Sequence, residues 1–355
     1  MINVTKTFLP PQSEYQSLLE SIWKSGWITN RGVLVRQLEN KLSTYLNTEH
    51  VLATANGTLP IQIAIKALGL KGEIITTPFS YVATVSSIVW EGCNPIFVDI
   101  HPEYLTIDDT KIEEAITKNT TAILATHVYG NPCNVRAIEV IAKKHNLKVI
   151  YDAAHCFGVK YKQQSIFNYG DVSTCSFHAT KVFHTGEGGA IFARDKDLFD
   201  QLFLHHNFGH FGKEDFLSIG INAKMSELQG AMGLAVLPYI DEIINGRKTV
   251  FEMYSQLLPQ DILFKIREGT QWNYSYCPII LKSEKQLKII VKKLSEEAIF
   301  PRRYFYPSLN KLSYLPHSVC KISEDISQRV LCLPLYPGLE FKYVEKIADI
   351  INKEL

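Results

Sequence analysis

Seven short apolar runs rich in β-branched residues recur between helical patterns: 50–55 (HVLATA), 73–77 (EIITT), 95–99 (PIFVD), 122–127 (AILATH), 148–152 (KVIYD), 172–177 (VSTCSF) and 189–193 (GAIFA). Most are followed by stretches with apolar residues at three- and four-residue spacing, such as 58–68 (TLPIQIAIKAL) and 134–145 (NVRAIEVIAKKH). Alternation of this kind predicts a largely parallel sheet covered by helices. The pattern runs from about residue 20 to 240, which makes residues 1–240 the expected large α/β domain.

After Pro238 the pattern changes. A helix ending near 258, strand-like pieces at 262–266 and 276–281, a helix around 284–297 and a closing helix at 341–353 predict a smaller α+β domain over 241–355. The proline-containing first residues are expected to cross over to that domain or to a partner subunit. A chain of 355 residues is long enough for two such units.

Charge removes some classes of partner. With 37 basic against 36 acidic side chains there is no footprint for nucleic acid or an anionic membrane. The seven cysteines are scattered, without the paired spacing of a zinc or iron–sulfur site, and read as reduced thiols with no metal. The opening MINVTKTFLPPQSEY lacks the order of a secretory signal and no apolar segment is long enough for a bilayer, so a cytoplasmic location is expected.

In a parallel sheet the carboxyl ends of the strands face one crevice, so polar residues just after several strands are candidates for one site. Here they are Asn56, Gly57 and Thr58; Ser80 and Tyr81; His127 and Tyr129; Asp152 and His155; Ser176, His178 and Lys181. Each has a plainer reading. Gly57 and Thr58 at a helix start can bind a phosphate or simply form a cap. Asp152, after an apolar strand, needs a cation, which an internal lysine or arginine could also supply. His155 can contact a ligand or be a satisfied core histidine, and most lysines are solvated.

Taken together the set asks for a cofactor with four needs. Pyridoxal 5'-phosphate requires a lysine for its aldehyde, an acid for its ring nitrogen, a helix start with hydroxyls for its phosphate and a flat partner for its ring. Lys181, Asp152, Gly57 with Thr58 and Ser176, and Tyr81 are of the required types.

At this point the chain resembles the DegT/DnrJ/EryC1/StrS sugar aminotransferases. The resemblance spans Ser25-Gly26-Trp27, Asn56-Gly57-Thr58, TPFSYVAT (77–84), YDAAH (151–155), SFHATK (176–181) with Glu187-Gly188-Gly189, GINAKMSELQ (220–229) and LPLYP (333–337). It implies an aspartate-aminotransferase-like fold (fold type I) and a homodimer with sites at the subunit interface. By position, Lys181 matches the lysine that attaches the cofactor and shuttles the proton, and Asp152 the partner of the ring nitrogen. Tyr81 matches the ring-stacking aromatic, and Ser176, Gly57 and Thr58 the phosphate cradle. Asn222 falls where the other subunit closes that cradle.

Two positions depart from the family. His155 stands where glutamine is more usual, and either can donate to the ring hydroxyl; Lys224 stands where an arginine is frequent and cannot make the same bidentate contact. The resemblance is greatest to the branch that aminates C4 of dTDP-4-oxo-6-deoxy-glucose, through FLPP (8–11), WITN (27–30) and SFHATK, and it implies L-glutamate as donor. Asn30, His178 and Tyr306 are candidate substrate contacts, and structural roles for the histidines and surface roles for the others stay open. Other readings also stay open: amination at C3 or of another nucleotide sugar, a sugar dehydratase of the same fold, whose relatives carry histidine at position 181, and a non-catalytic regulator that binds cofactor or nucleotide sugar.

Overall fold

In a computed structural model describing residues 1–355, all seven runs form one sheet. Its order is His50–Thr54, Gly189–Ala193, Val172–Ser176, Lys148–Asp152, Thr120–Thr126, Glu73–Thr76 and Asn94–Phe97. Only Gly189–Ala193 runs antiparallel to its neighbours. Expectation and structure agree here because the central strands are buried on both faces. Ile75, Ile123, Val149 and Tyr151 point into one apolar core, while Ile74, Leu124, Ile150 and Val172 point into another.

Register then places the chemistry. Thr126, Asp152 and Thr174 lie level with one another at the carboxyl ends of three adjacent strands. The helices Leu59–Ala67 and Val82–Trp90 both start just after such ends, at Thr58 and Tyr81. Residues distant in sequence thus open into one crevice.

The C-terminal part has a separate core. Tyr254 on Ile240–Leu257, Ile290 on Glu284–Glu296 and Ile347 on Phe341–Asn352 pack on the antiparallel pair Cys277–Ile280 and Val330–Leu333. The chain's start joins this layer, since Ile2–Asn3 pairs in parallel with Ile299–Phe300. The expected strand at 262–266 contributes a single bridge, Leu263 to Ile279. Phe264 instead buries its ring against Tyr129 in a cluster between the layers. No helix of the chain is long and apolar enough to cross a membrane.

The GINAKMSELQ segment has a structural consequence that its motif did not reveal. Ser226 and Gln229 form a reciprocal cap on the helix Glu227–Val236. The buried Glu227 carboxylate meanwhile accepts from the amides of Leu34 (2.7 Å) and Val35 (3.1 Å), capping a second helix, Val33–Leu46. Gly32 leaves room for it: a Cβ there would sit 2.7 Å from the Glu227 carboxyl carbon. Removing the carboxylate leaves two buried donors unpaired. Glu227→Ala is expected to lower unfolding free energy by about 2–4 kcal/mol, read from urea denaturation.

Candidate active site

Gly57, Thr58, Tyr81, Asp152, His155, Ser176, His178 and Lys181 line one cavity of about 340 Å³, as the strand ends dictate. Three candidates lie elsewhere. Asn30 is on an exposed loop with φ +61°. Tyr306 faces an adjoining groove with Arg303 over its ring at 3.6 Å. Asn222 is exposed and accepts from Lys224 Nζ at 2.7 Å, so within its own chain it does not reach the cavity. Lys224 also lies over the Phe208 ring, 4.8 Å from its centroid.

At the floor, the Asp152 carboxylate is oriented by a hydroxyl series of which the sequence singles out only Ser80. Thr84 Oγ1 donates to Oδ2 (2.6 Å), Ser80 Oγ lies 2.7 Å from Thr84 Oγ1, and Thr126 Oγ1 donates to Ser80 Oγ (3.0 Å). The Ala154 amide donates to Oδ1 (3.1 Å). Since Thr84 gives its proton to Asp152, Ser80 must give its own to Thr84. No cation pairs directly with the carboxylate. Burial raises its pKa above the ordinary carboxylate value, opposed by the Thr84 and Ala154 bonds and by Lys181.

Lys181 sits half-buried after Val172–Ser176, with Nζ 5.9 Å from the Tyr276 ring centroid. Desolvation lowers its pKa, against the opposing pull of Tyr304, Asp152, Cys175 and Tyr81. A lysine depressed in this way holds its neutral, nucleophilic form at lower pH than a solvated one.

His155 shows how the C-terminal part completes the site. Its Nδ1 accepts from the Tyr129 amide at 3.1 Å, which puts the ring proton of the neutral form on Nε2. Burial, with Lys181 adding, holds its pKa well below the usual value, so the ring is neutral. Phe305 stacks on it (5.7 Å between centroids, 5° between planes), and Tyr276 meets it edge-on at 5.0 Å.

The segment 272–276 clamps the backbone behind this ring. Trp272 Nε1 and Ser275 Oγ donate to the Tyr129 carbonyl at 2.8 and 2.6 Å, and Asn273 Nδ2 donates to the carbonyls of His155 (2.8 Å) and Phe157 (2.9 Å). Gly130, at φ +81°, is required there, because a Cβ would lie 2.8 Å from Asn273 Oδ1.

The expected phosphate cradle has a modified form. Asn56 Oδ1 accepts from the amides of Thr58 (2.9 Å) and Leu59 (3.0 Å), so these two donors are already engaged. The Gly57 amide has no hydrogen-bond partner within the chain, and Gly57, Thr58 and Ser176 all line the cavity. Gly57 packs so closely that a Cβ would stand 2.6 Å from Ser176 Cβ.

The histidines around the lysine divide. His178 Nδ1 lies 2.8 Å from Thr180 Oγ1 and its Nε2 is 3.6 Å from Glu187, at the cavity wall. His184 is structural, buried with Nε2 2.6 Å from the Phe8 carbonyl and Nδ1 accepting from Gly186 N.

These features fit pyridoxal phosphate. A buried acid without a cation sits at the floor, a desolvated lysine stands near it, a free amide and two hydroxyls lie at one end, and Tyr81 is 59% exposed above.

Comparison with known proteins gives one family along nearly the whole length. The profile of the DegT/DnrJ/EryC1/StrS aminotransferase family matches residues 11–352. The chain is 43% identical to a dTDP-4-amino-4,6-dideoxy-D-glucose transaminase of Shigella dysenteriae, covering 99% of this chain and 98% of that protein. It is 38% identical to a transaminase of the same description from Escherichia coli, again over 99% and 98%. Among solved structures, DesI in the presence of its TDP-sugar product superposes with a TM-score of 0.93 at 29% identity, over 99% of this chain and 92% of that one.

The raised Asp152 pKa has a signed consequence. Its contribution to stability is full below the ordinary carboxylate range and is lost as pH rises through the raised value, so the ionised group is a net cost to the cofactor-free protein at neutral pH. Cofactor-free Asp152→Asn is therefore expected to melt at or above the wild-type temperature at pH 7. Its affinity for pyridoxal phosphate should fall by roughly 100-fold in a fluorescence titration, because the ring nitrogen loses its buried partner.

Proposed function

This chain belongs to the DegT/DnrJ/EryC1/StrS aminotransferase family, and from that premise we propose that it moves the amino group of L-glutamate onto dTDP-4-oxo-6-deoxy-D-glucose. The product is dTDP-4-amino-4,6-dideoxy-D-glucose, an amino sugar for surface polysaccharide. The observation that carries this reading is the 43% identity to a transaminase of that product, sustained over the whole chain. Lys181 and Asp152 in one cavity supply the chemistry that such a transfer needs.

Members of this family use pyridoxal phosphate, which when bound supplies an aldehyde to take up the amino group and a protonated ring that withdraws electrons. The residues divide the remaining work. Asp152, held by the hydroxyls of Thr84, Ser80 and Thr126, would be the acid that pairs with the ring nitrogen and keeps it protonated. His155 presents Nε2–H as a donor to an oxygen in the cavity. Gly57 N with the hydroxyls of Thr58 and Ser176 would hold the phosphate, and Tyr81 would offer its ring to the cofactor ring.

Lys181 Nζ is the amine in the cavity that would hold the cofactor's aldehyde, and as a base it would take up and return the proton that each half of the transfer has to move. Its lowered pKa suits both roles. Neutral His155 and the aromatic walls of Phe305 and Tyr276 limit water around that nitrogen.

A homodimer is part of this reading. The hairpin of His210–Phe211 and Asp215–Phe216 exposes Phe208, Phe211, Phe216, Leu217 and Ile219, and Asn222 follows it without reaching its own cavity. A second copy of the chain would cover the apolar residues and receive Asn222 at its phosphate cradle. A cytoplasmic location belongs to the same reading.

The visible absorption spectrum tests the function directly. The protein with pyridoxal phosphate should show a Schiff-base band that bleaches with L-glutamate and returns with dTDP-4-oxo-6-deoxy-D-glucose. Lys181→Ala should lose the band and turnover. A wild-type band indifferent to glutamate would refute the donor, and full turnover by Lys181→Ala would refute the assignment of the lysine.

A further inference from the structure

The cofactor cavity opens into a groove of about 850 Å³ between the helix Glu284–Glu296 and the loop 301–312. The two share Ser80, Tyr81, Arg302, Tyr304 and Phe305. No aspartate or glutamate lines the groove, but Lys288, Lys292, Arg302 and Arg303 do. Two of these cations are already engaged, Lys288 and Arg303 each 3.0 Å from a Glu284 carboxylate oxygen.

Arg302 is placed differently. Its backbone is fixed by a two-way bridge to Cys332, at 3.0 and 2.8 Å, while its guanidinium lies 5.3 Å from the Tyr304 ring centroid and pairs with no carboxylate. Tyr304 packs on Tyr276, 5.3 Å between centroids, and Tyr276 carries Lys181 over its ring. One permanent cation thus stands at the junction of cavity and groove, two aromatic rings from the reacting lysine.

Lys181 and Arg302 are the only lysine or arginine side chains lining the cavity, and Lys181 is committed to the chemistry. Both substrates of the proposed reaction carry an anionic group a few bonds from the reacting carbon. In the amino donor it is a carboxylate, and in the nucleotide sugar it is the diphosphate. A guanidinium presents a planar fork that matches either group.

We propose that Arg302 is a shared anion anchor. Its guanidinium holds a carboxylate of the amino donor in one half-reaction and the diphosphate of the nucleotide sugar in the other, so the two substrates exclude one another at this point. The proposal rests on the aminotransferase reading above. It assigns to one side chain the alternation that a two-step transfer requires. The groove beyond, with Lys292 unpaired along it, accommodates the rest of the nucleotide.

The test uses the wild-type enzyme loaded with pyridoxal phosphate, with two unreactive probes, glutarate and dTDP, in isothermal titration calorimetry. In the wild type each probe should displace the other. Arg302→Gln should weaken both by roughly 10- to 100-fold while the Schiff-base band and melting temperature stay unchanged, and Arg302→Lys should recover part of the loss for each. Simultaneous binding of the two probes, or weakening of dTDP alone or of neither, would overturn the shared anchor. Failure of the wild-type band to bleach with glutamate is a separate result, which bears on the function and not on the anchor.

Discussion

A carboxylate buried at the end of a parallel strand, with no cation of its own chain against it, sets the terms for the rest of this structure. Asp152 is 5% exposed, and the hydroxyls and one amide around it orient the charge without neutralising it. Such a group is stable in its ionised form only when a cation arrives from outside. The hydroxyl series from Thr126 through Ser80 to Thr84 therefore fixes the orientation of the carboxylate without neutralising it.

The surroundings of Lys181 follow from the same constraint. The low-polarity walls that raise the carboxyl pKa also lower that of the ammonium, so one desolvated cavity prepares an acid and a base in opposite senses. Aromatic rings supply those walls, and Tyr276, Tyr304 and Phe305 come from the C-terminal part of the chain. Phe305 and Tyr276 lie on His155, and Trp272, Asn273 and Ser275 grip the backbone of Tyr129 and His155. The C-terminal part is thus a wall of the site as well as a separate core.

The sheet was legible in the sequence because strands buried on both faces leave dense β-branched runs, and 148–152 and 172–177 carried that signal without ambiguity. The strand-end rule then placed Asp152, His155, Ser176 and Lys181 together. What periodicity does not encode is which distant side chains meet them. Nothing local in Tyr276 or Phe305 marks them as neighbours of His155, and Thr84 is silent until the helix start brings it level with Asp152. At Thr58 the sequence showed a helix start but not that the Asn56 side chain would claim its amide. At 262–266 an apolar run was read as a strand, although Phe264 is apolar because it fills the cluster between layers.

The pairing of Ile2–Asn3 with Ile299–Phe300 has a consequence for how the molecule comes into being. On the ribosome the first strand emerges almost a whole chain length before its partner, and closing so long a loop is slow relative to forming local structure. The α/β sheet can assemble while the C-terminal layer is still being made, yet Tyr276 and Phe305 reach His155 only once that layer arrives. A nascent or truncated chain would therefore carry its lysine in an open, wet cleft. The finished polypeptide alone brings Tyr276 and Tyr304 to the cavity that holds that nitrogen.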